Sequence, residues 1–78
     1  MSTQFMLDQR AKALADFQEA INDQDTLLAD PARHVERLTR QARQYGAQGI
    51  IDAEDLRELL EWTDSAFAWA EEERVGRG

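Results

Sequence analysis

The sequence predicts an all-α fold, a small three-helix bundle. Helix-favouring residues dominate the 78-residue chain, which has only one proline and four glycines. Apolar residues recur at spacings of three and four, the period of an amphipathic helix. Turn-rich stretches around residues 22–30 and 46–52 divide this pattern into three segments. We therefore expect a single domain with helices at about 3–23, 31–45 and 53–74, and a frayed tail at 75–78.

The first two predicted helices have apolar stripes of different strength. Leu14, Phe17 and Ile21 recur at helical spacing in the first helix. The second helix has a strong start signal, because the Asp30 side chain can accept from free amides and Pro31 loses no hydrogen bond at the first helical position. Gly46 is expected to end it in a left-handed conformation. Its narrow apolar stripe consists of Val35, Leu38, Ala42 and Tyr45.

The stretch QYGAQGIIDAEDLRELLEW, residues 44–62, resembles half of a calcium loop. With Gly49 at position six, the ligand positions one, three and five fall on Gln44, Gly46 and Gln48, which supply no carboxylate. We therefore reject calcium binding. Asp52 instead fits the cap of the third helix, and the flanking apolar residues Ile51 and Leu56 fit a hydrophobic staple.

The third predicted helix has an unusually wide apolar face. Trp62 and Trp69 extend its main stripe to about half of the circumference, whereas a surface helix usually has an arc of roughly 100°. We expect this helix and the first to form the main pair, running antiparallel, with the shorter second helix crossing them. The alternative is a helical hairpin completed by homodimerisation, which the wide arc and the small size favour. The main stripe comprises Leu56, Leu59, Leu60, Thr63, Phe67 and Ala70.

Two groups of residues are candidates for binding a partner. Trp62, Trp69 and Tyr45 are possible apolar anchors, because aromatic residues are enriched at binding hot spots. The competing interpretation is that the tryptophans belong to the core of the bundle. The second group lies on the second predicted helix, opposite its apolar stripe, where it can bind carboxylates or phosphates or remain a solvated face. It consists of Arg33, Arg37, Arg40 and Arg43.

Composition argues against several functional classes. Sixteen acidic residues against nine basic ones give a net charge of −7, which repels nucleic acid and anionic lipid. No cysteine, signal peptide or membrane-length apolar run is present, so we expect a cytoplasmic protein without membrane contact. Asp30 and His34 have a spacing compatible with two metal ligands, but no third ligand is evident. We expect no metal, no cofactor and no enzymatic activity, since no nucleophile has a base placed to activate it.

The sequence therefore predicts a small acidic, non-enzymatic protein-interaction module. It would bind and inhibit or sequester a protein partner, as small bacterial or phage regulators such as antitoxins, immunity proteins, antiactivators and phage inhibitors do. A nucleic-acid-associated regulator that uses the arginine face is one alternative, and a small helical secretion chaperone is another. No motif selects among these classes, which the chain resembles only in size, charge and helicity.

Overall fold

The protein is a bundle of helices. The computed structural model describes the backbone of residues 3–77 and the side chains of residues 8–76. This part of the chain forms four helices, α1 (Thr3–Ile21), α2 (Gln24–Ala29), α3 (Pro31–Ala47) and α4 (Ala53–Arg77). The predicted all-α helical bundle is confirmed, and the three predicted helices correspond to α1, α3 and α4. The short helix α2 was not predicted.

Helix α2 lies in the segment that the sequence suggested was only a turn. The Asp23 side chain accepts from the Thr26 backbone N–H at 3.3 Å and from its hydroxyl at 2.7 Å, which caps the start of α2. Leu27 is buried, so this short helix is anchored in the bundle. The first helix accordingly ends at Ile21, two residues before the predicted end.

The order of the helices overturns the predicted antiparallel main pair. The His34 ring at the start of α3 lies 2.9 Å from the carbonyl of Ala20 at the end of α1, so these two helices run antiparallel. Arg10 in the first half of α1 contacts Asp55 in the first turn of α4, and Ile21 at the end of α1 lines a groove with Trp62 farther along α4. The helices α1 and α4 therefore run parallel. The chain reverses its direction between α1 and α3 and again between α3 and α4, so α4 runs in the same direction as α1. The most extensive helix pair is α3 with α4.

The turn between α3 and α4 corrects the prediction for Gly46. This glycine is helical, and α3 continues through it to Ala47. Gly49 instead takes the left-handed conformation, with φ of 76°. Its N–H donates to the Gly46 carbonyl at 3.1 Å, and the Ile50 N–H donates to the Tyr45 carbonyl at 3.0 Å. These two bonds form a Schellman motif, which satisfies carbonyls at the end of α3.

The start of α4 is held by a reciprocal pair of aspartates. The Asp55 N–H donates to Asp52 Oδ1 at 2.7 Å, and the Asp52 N–H approaches Asp55 Oδ2 at 3.4 Å. This arrangement is a capping box in which Asp55 takes the place of the usual glutamate. Ile51 just before the cap is buried, and Leu56 packs against the same core. The predicted cap at Asp52 is confirmed.

The core is a thin column between the three long helices. The molecule measures 53 × 18 × 15 Å, and its radius of gyration of 14.0 Å exceeds the roughly 11.5 Å expected for a compact chain of this length. Partly buried side chains, Trp62 among them, complete the column. A small number of buried residues therefore carries much of the stability. The central buried cluster is formed by Phe17, Leu38, Ala42, Ile51 and Leu59.

The last helix is longer than predicted. It continues to Arg77, three residues beyond the predicted end, while Gly78 lies outside the described residues. The fraying of residues 75–78 stays a prediction. Gly76 does not have a positive φ and only weakens a helix, at a cost of about 0.5–1 kcal/mol.

Candidate protein-interaction surface

Trp62 lies where α4 faces α1, at the edge of a shallow groove. The indole packs against the core cluster on one side and is partly exposed on the other. The groove has a volume of about 330 Å³ and an apolar floor suited to an inserted side chain. Its walls are formed by Gln18, Ile21, Asn22, Trp62, Ser65 and Ala66.

Trp69 follows Trp62 by two helical turns and lies on the same side of α4. It is also only partly buried. Unlike Trp62, it is not among the described side chains that pack against the central core cluster. Both indoles are therefore partly buried and partly exposed to solvent. We therefore expect removal of Trp69 to disturb the central cluster less than removal of Trp62.

Carboxylates border the Trp62 indole. Glu54, Glu58 and Glu61 are exposed on α4 and line a shallow polar depression that reaches Trp62. Arg57 also borders this depression but makes no ion pair with any described residue. An apolar anchor beside clustered negative charge suits a partner that presents an apolar residue flanked by lysine or arginine.

The structure separates Tyr45 from the two tryptophans. The ring packs against the core at the end of α3, and its hydroxyl accepts from Gln41 Nε2 at 2.7 Å. This end of α3 lies beside the first turn of α4, whereas Trp69 lies near the opposite end. The three aromatic candidates therefore do not form one site.

Three of the four arginine candidates share one surface. Arg33, Arg37 and Arg40 project from α3 into a depression of about 310 Å³, which Glu36 also lines. Arg40 pairs with Glu36 at 3.2 Å, and both side chains are exposed, so the pair contributes little to stability. Arg43 does not line this depression. The arginines lie on the solvent face of α3, away from the groove between α1 and α4.

One buried carboxylate was not recognised in the sequence. Asp55 is almost fully buried, and Arg10 donates to both of its oxygens at 2.7 and 2.8 Å. This hydrogen bonding lowers the pKa of Asp55, outweighing the burial that would raise it. The partners are separated by 45 positions, so no local spacing could have shown the contact. The pair joins two helices in an ionised, satisfied state.

His34 is buried at the junction of α1 and α3. Its Nε2 lies 2.9 Å from the Ala20 carbonyl, which can only accept, so Nε2 carries the proton. Its Nδ1 is buried without a hydrogen-bond partner among the described residues. Nearby Asp23 has a lowered pKa, mainly because the Thr26 hydroxyl donates to it. Among the described side chains, no group of three or more histidine, cysteine, aspartate or glutamate residues is arranged to hold a metal ion.

Comparison with known proteins gives no match among protein-family models, curated proteins or solved structures. None of the described helices has the length and apolar character required to cross a lipid bilayer. The fold and this surface define a small helical-bundle protein with two partly exposed indoles, of which Trp62 borders a cluster of acids.

Proposed function

We propose that this chain is a non-enzymatic protein-interaction module that binds a protein partner and inhibits or sequesters it. The observation that carries the proposal is the partial exposure of Trp62 and Trp69 on the same side of α4. Tryptophan is enriched at binding hot spots, where it fills pockets that lose all their water. A partly covered indole is already oriented by its packing, which lowers the entropy lost on binding.

The surrounding charge supports a partner with a basic contact surface. Glu54, Glu58 and Glu61 lie beside Trp62, and the whole chain has a net charge of −7. Such a surface speeds encounter with a basic partner and opposes association with phosphates. The lack of cysteine fits a reducing compartment and supports a cytoplasmic location.

Affinity capture from the native host, followed by titration of the purified partner, tests the proposal. Trp69→Ala is the sharpest variant because Trp69 lies outside the central core cluster. We expect it to weaken binding at least tenfold with unchanged helicity, as removal of a hot-spot residue does. Val75→Ala is the matched control, since it removes an exposed apolar side chain elsewhere on α4. Glu58→Gln with Glu61→Gln should weaken binding and flatten its salt dependence.

The outcomes separate the proposed classes of function. Partner binding that survives both Trp69→Ala and Trp62→Phe would remove the support for this surface. Loss of helicity in Trp69→Ala would show that the ring serves the fold. Capture of a secreted substrate with no effect on its activity would favour the secretion-chaperone alternative.

A second candidate function is nucleic-acid binding through α3. The specific observation is that Arg33, Arg37 and Arg40 share one exposed depression. Affinity for duplex DNA should then fall steeply with salt and with Arg37→Ala, because phosphate contacts release counterions. Fluorescence anisotropy with a labelled duplex at low salt decides this, and no binding there rules the candidate out.

A further inference from the structure

The α3–α4 pair has an apolar groove on the side away from α1. A shallow depression of about 530 Å³ opens there, with Val35 and Phe67 at its floor and Ala32 beside them. Both larger side chains are partly buried, and Thr39 and Leu60 continue the same strip toward the turn. No residue of α1 or α2 lines this groove, whose described lining comes from α3 and α4 alone.

The rim of this groove has a charge pattern that repeats with opposite sign. Glu36 and Asp64 face each other across the depression and form what we name the acidic pair. Arg43 lies seven residues after Glu36 on α3, and Arg57 lies seven residues before Asp64 on α4. Because the two helices are antiparallel, both steps lead to the same end of the groove. Arg43 and Arg57, the basic pair, therefore lie on the same rim about 10.5 Å away.

All four rim side chains are available for contact. Each is exposed, and neither arginine makes an ion pair with a described residue. Arg40 contacts only Oε1 of Glu36, so the Oε2 atom is not used in that pair. Asp64 makes no ion pair with a described residue either. A partner that carries the same two pairs in reversed order would neutralise all four charges.

We propose that a second copy of this chain covers the groove, with α3 antiparallel to α3 and α4 antiparallel to α4 of the partner. A two-fold axis across both helices, at the level of Thr39 and Leu60, brings each acidic pair onto the partner's basic pair. Such an interface is isologous, so every contact is made twice. The position of this axis follows from the sequence numbers of the charged residues. Thr39 lies within one residue of the midpoint between Glu36 and Arg43, and Leu60 lies within one residue of the midpoint between Arg57 and Asp64.

The charge pattern selects this occupant and this orientation. A parallel arrangement would place acid on acid and arginine on arginine, which costs free energy. An unrelated basic partner would be repelled by the arginine end of the groove. The dimer leaves Trp62 and Trp69 uncovered, because these indoles lie on the other side of α4. The homodimer therefore leaves both indoles of the proposed partner-binding surface accessible and would present them twice. The two surfaces share Arg57, which lies on the groove rim and also borders the depression beside Trp62.

Reversing the charges of the acidic pair or of the basic pair tests the interface between two copies of the chain. Sedimentation of the wild type from micromolar to millimolar concentration should show a dimer. Glu36→Arg with Asp64→Arg makes both ends of the groove basic, and Arg43→Glu with Arg57→Glu makes both ends acidic. Each double variant should be monomeric where the wild type is dimeric. Their equimolar mixture should recover the dimer mass, because the two grooves are then complementary.

Matched controls separate this effect from a change in net charge. Glu54→Arg with Glu58→Arg, and Arg33→Glu with Arg37→Glu, make the same charge changes outside the groove and should leave the dimer intact. A wild type that stays monomeric throughout overturns the proposal. So do groove variants that remain dimeric, or a mixture that remains monomeric.

A cross-linking experiment gives a second measurement that does not rely on charge reversal. The chain contains no cysteine, so one introduced thiol reports one position. Thr39→Cys lies at the proposed axis and should form a disulfide-linked dimer under mild oxidation. Lys12→Cys, exposed on α1, should not. Equal cross-linking of the two variants contradicts the proposed axis.

Discussion

Arg10 holds Asp55 by two parallel hydrogen bonds, from Nε at 2.8 Å and from Nη2 at 2.7 Å. The Asp55 side chain is 10% exposed, and that of Arg10 is 45% exposed. Asp55 also belongs to the capping box that starts α4. One carboxylate therefore fixes both the start of α4 and the position of α1 along it. A planar guanidinium suits this role, because its fork matches a carboxylate in direction as well as charge.

The stability of the fold should fall in acid because of this pair. Hydrogen bonding to Arg10 lowers the pKa of Asp55 in the folded state below its unfolded value of about 4. Between these two pKa values the unfolded chain binds more protons, so stability rises with pH there. The contribution is complete above about pH 4 and is lost as the pH falls through the folded pKa.

Thermal unfolding followed by circular dichroism between pH 7 and pH 2 measures this effect. Asp55→Asn should melt at a lower temperature than the wild type at pH 7, and the difference should shrink below about pH 4. Asp16→Asn removes a carboxylate from an exposed site on α1 and serves as the control. A difference that stays constant across this range would mean that Asp55 acts through its shape alone.

Lysine should replace Arg10 only in part. A lysine keeps the positive charge, but its ammonium cannot make two parallel bonds to one carboxylate. Arg10→Lys should therefore fall between the wild type and Arg10→Gln in the midpoint of urea unfolding. Hydrogen exchange of the first turn of α4 should rise in the same order. Equal midpoints for Arg10→Lys and the wild type would show that charge alone holds the helices.

Local signals in the sequence were sufficient to locate the starts of α3 and α4. Asp30 accepts from the Arg33 N–H at 3.2 Å, and Asp52 caps α4, both as expected from residue type and spacing. The helix ends were harder, because Gly46 and Gly49 are both compatible with a left-handed cap. The choice depends on packing, since a Cβ at Gly46 would lie 3.3 Å from Leu56 Cδ2.

Long-range features could not be predicted from the sequence. The Arg10–Asp55 pair joins residues 45 positions apart, and the chain has enough acids that spacing selects no single partner. Periodicity placed Trp62 on the rim of an apolar face, but how deeply the Trp62 side chain is buried depends on where α1 packs. The direction of α1 relative to α4 follows from the number of chain reversals, which single-helix patterns do not encode.

The same glycine-to-alanine change should have opposite effects at two positions. Gly49 has φ of 76°, where an L-residue is strained, so Gly49→Ala should destabilise the fold by about 1 kcal/mol. A Cβ there would touch nothing within 4 Å, so the cost is conformational rather than steric. Gly76 is helical with open space around it, and Gly76→Ala should stabilise by about 0.5 kcal/mol. Urea unfolding compares the two, and stabilisation by Gly49→Ala would contradict the assigned Schellman motif.

The His34 ring should contribute measurably to the contact between α1 and α3. It is buried, and its Nε2 hydrogen bond to Ala20 joins the end of α1 to the first turn of α3. His34→Ala removes that bond and opens a cavity, so we expect a loss of about 2 kcal/mol in the free energy of unfolding. Arg33→Ala, at the exposed neighbouring position, should change it by less than about 0.5 kcal/mol. Faster hydrogen exchange confined to the last turn of α1 and the first turn of α3 would locate the effect at this junction. Equal stability of the two variants would show that the His34 ring does not stabilise the contact.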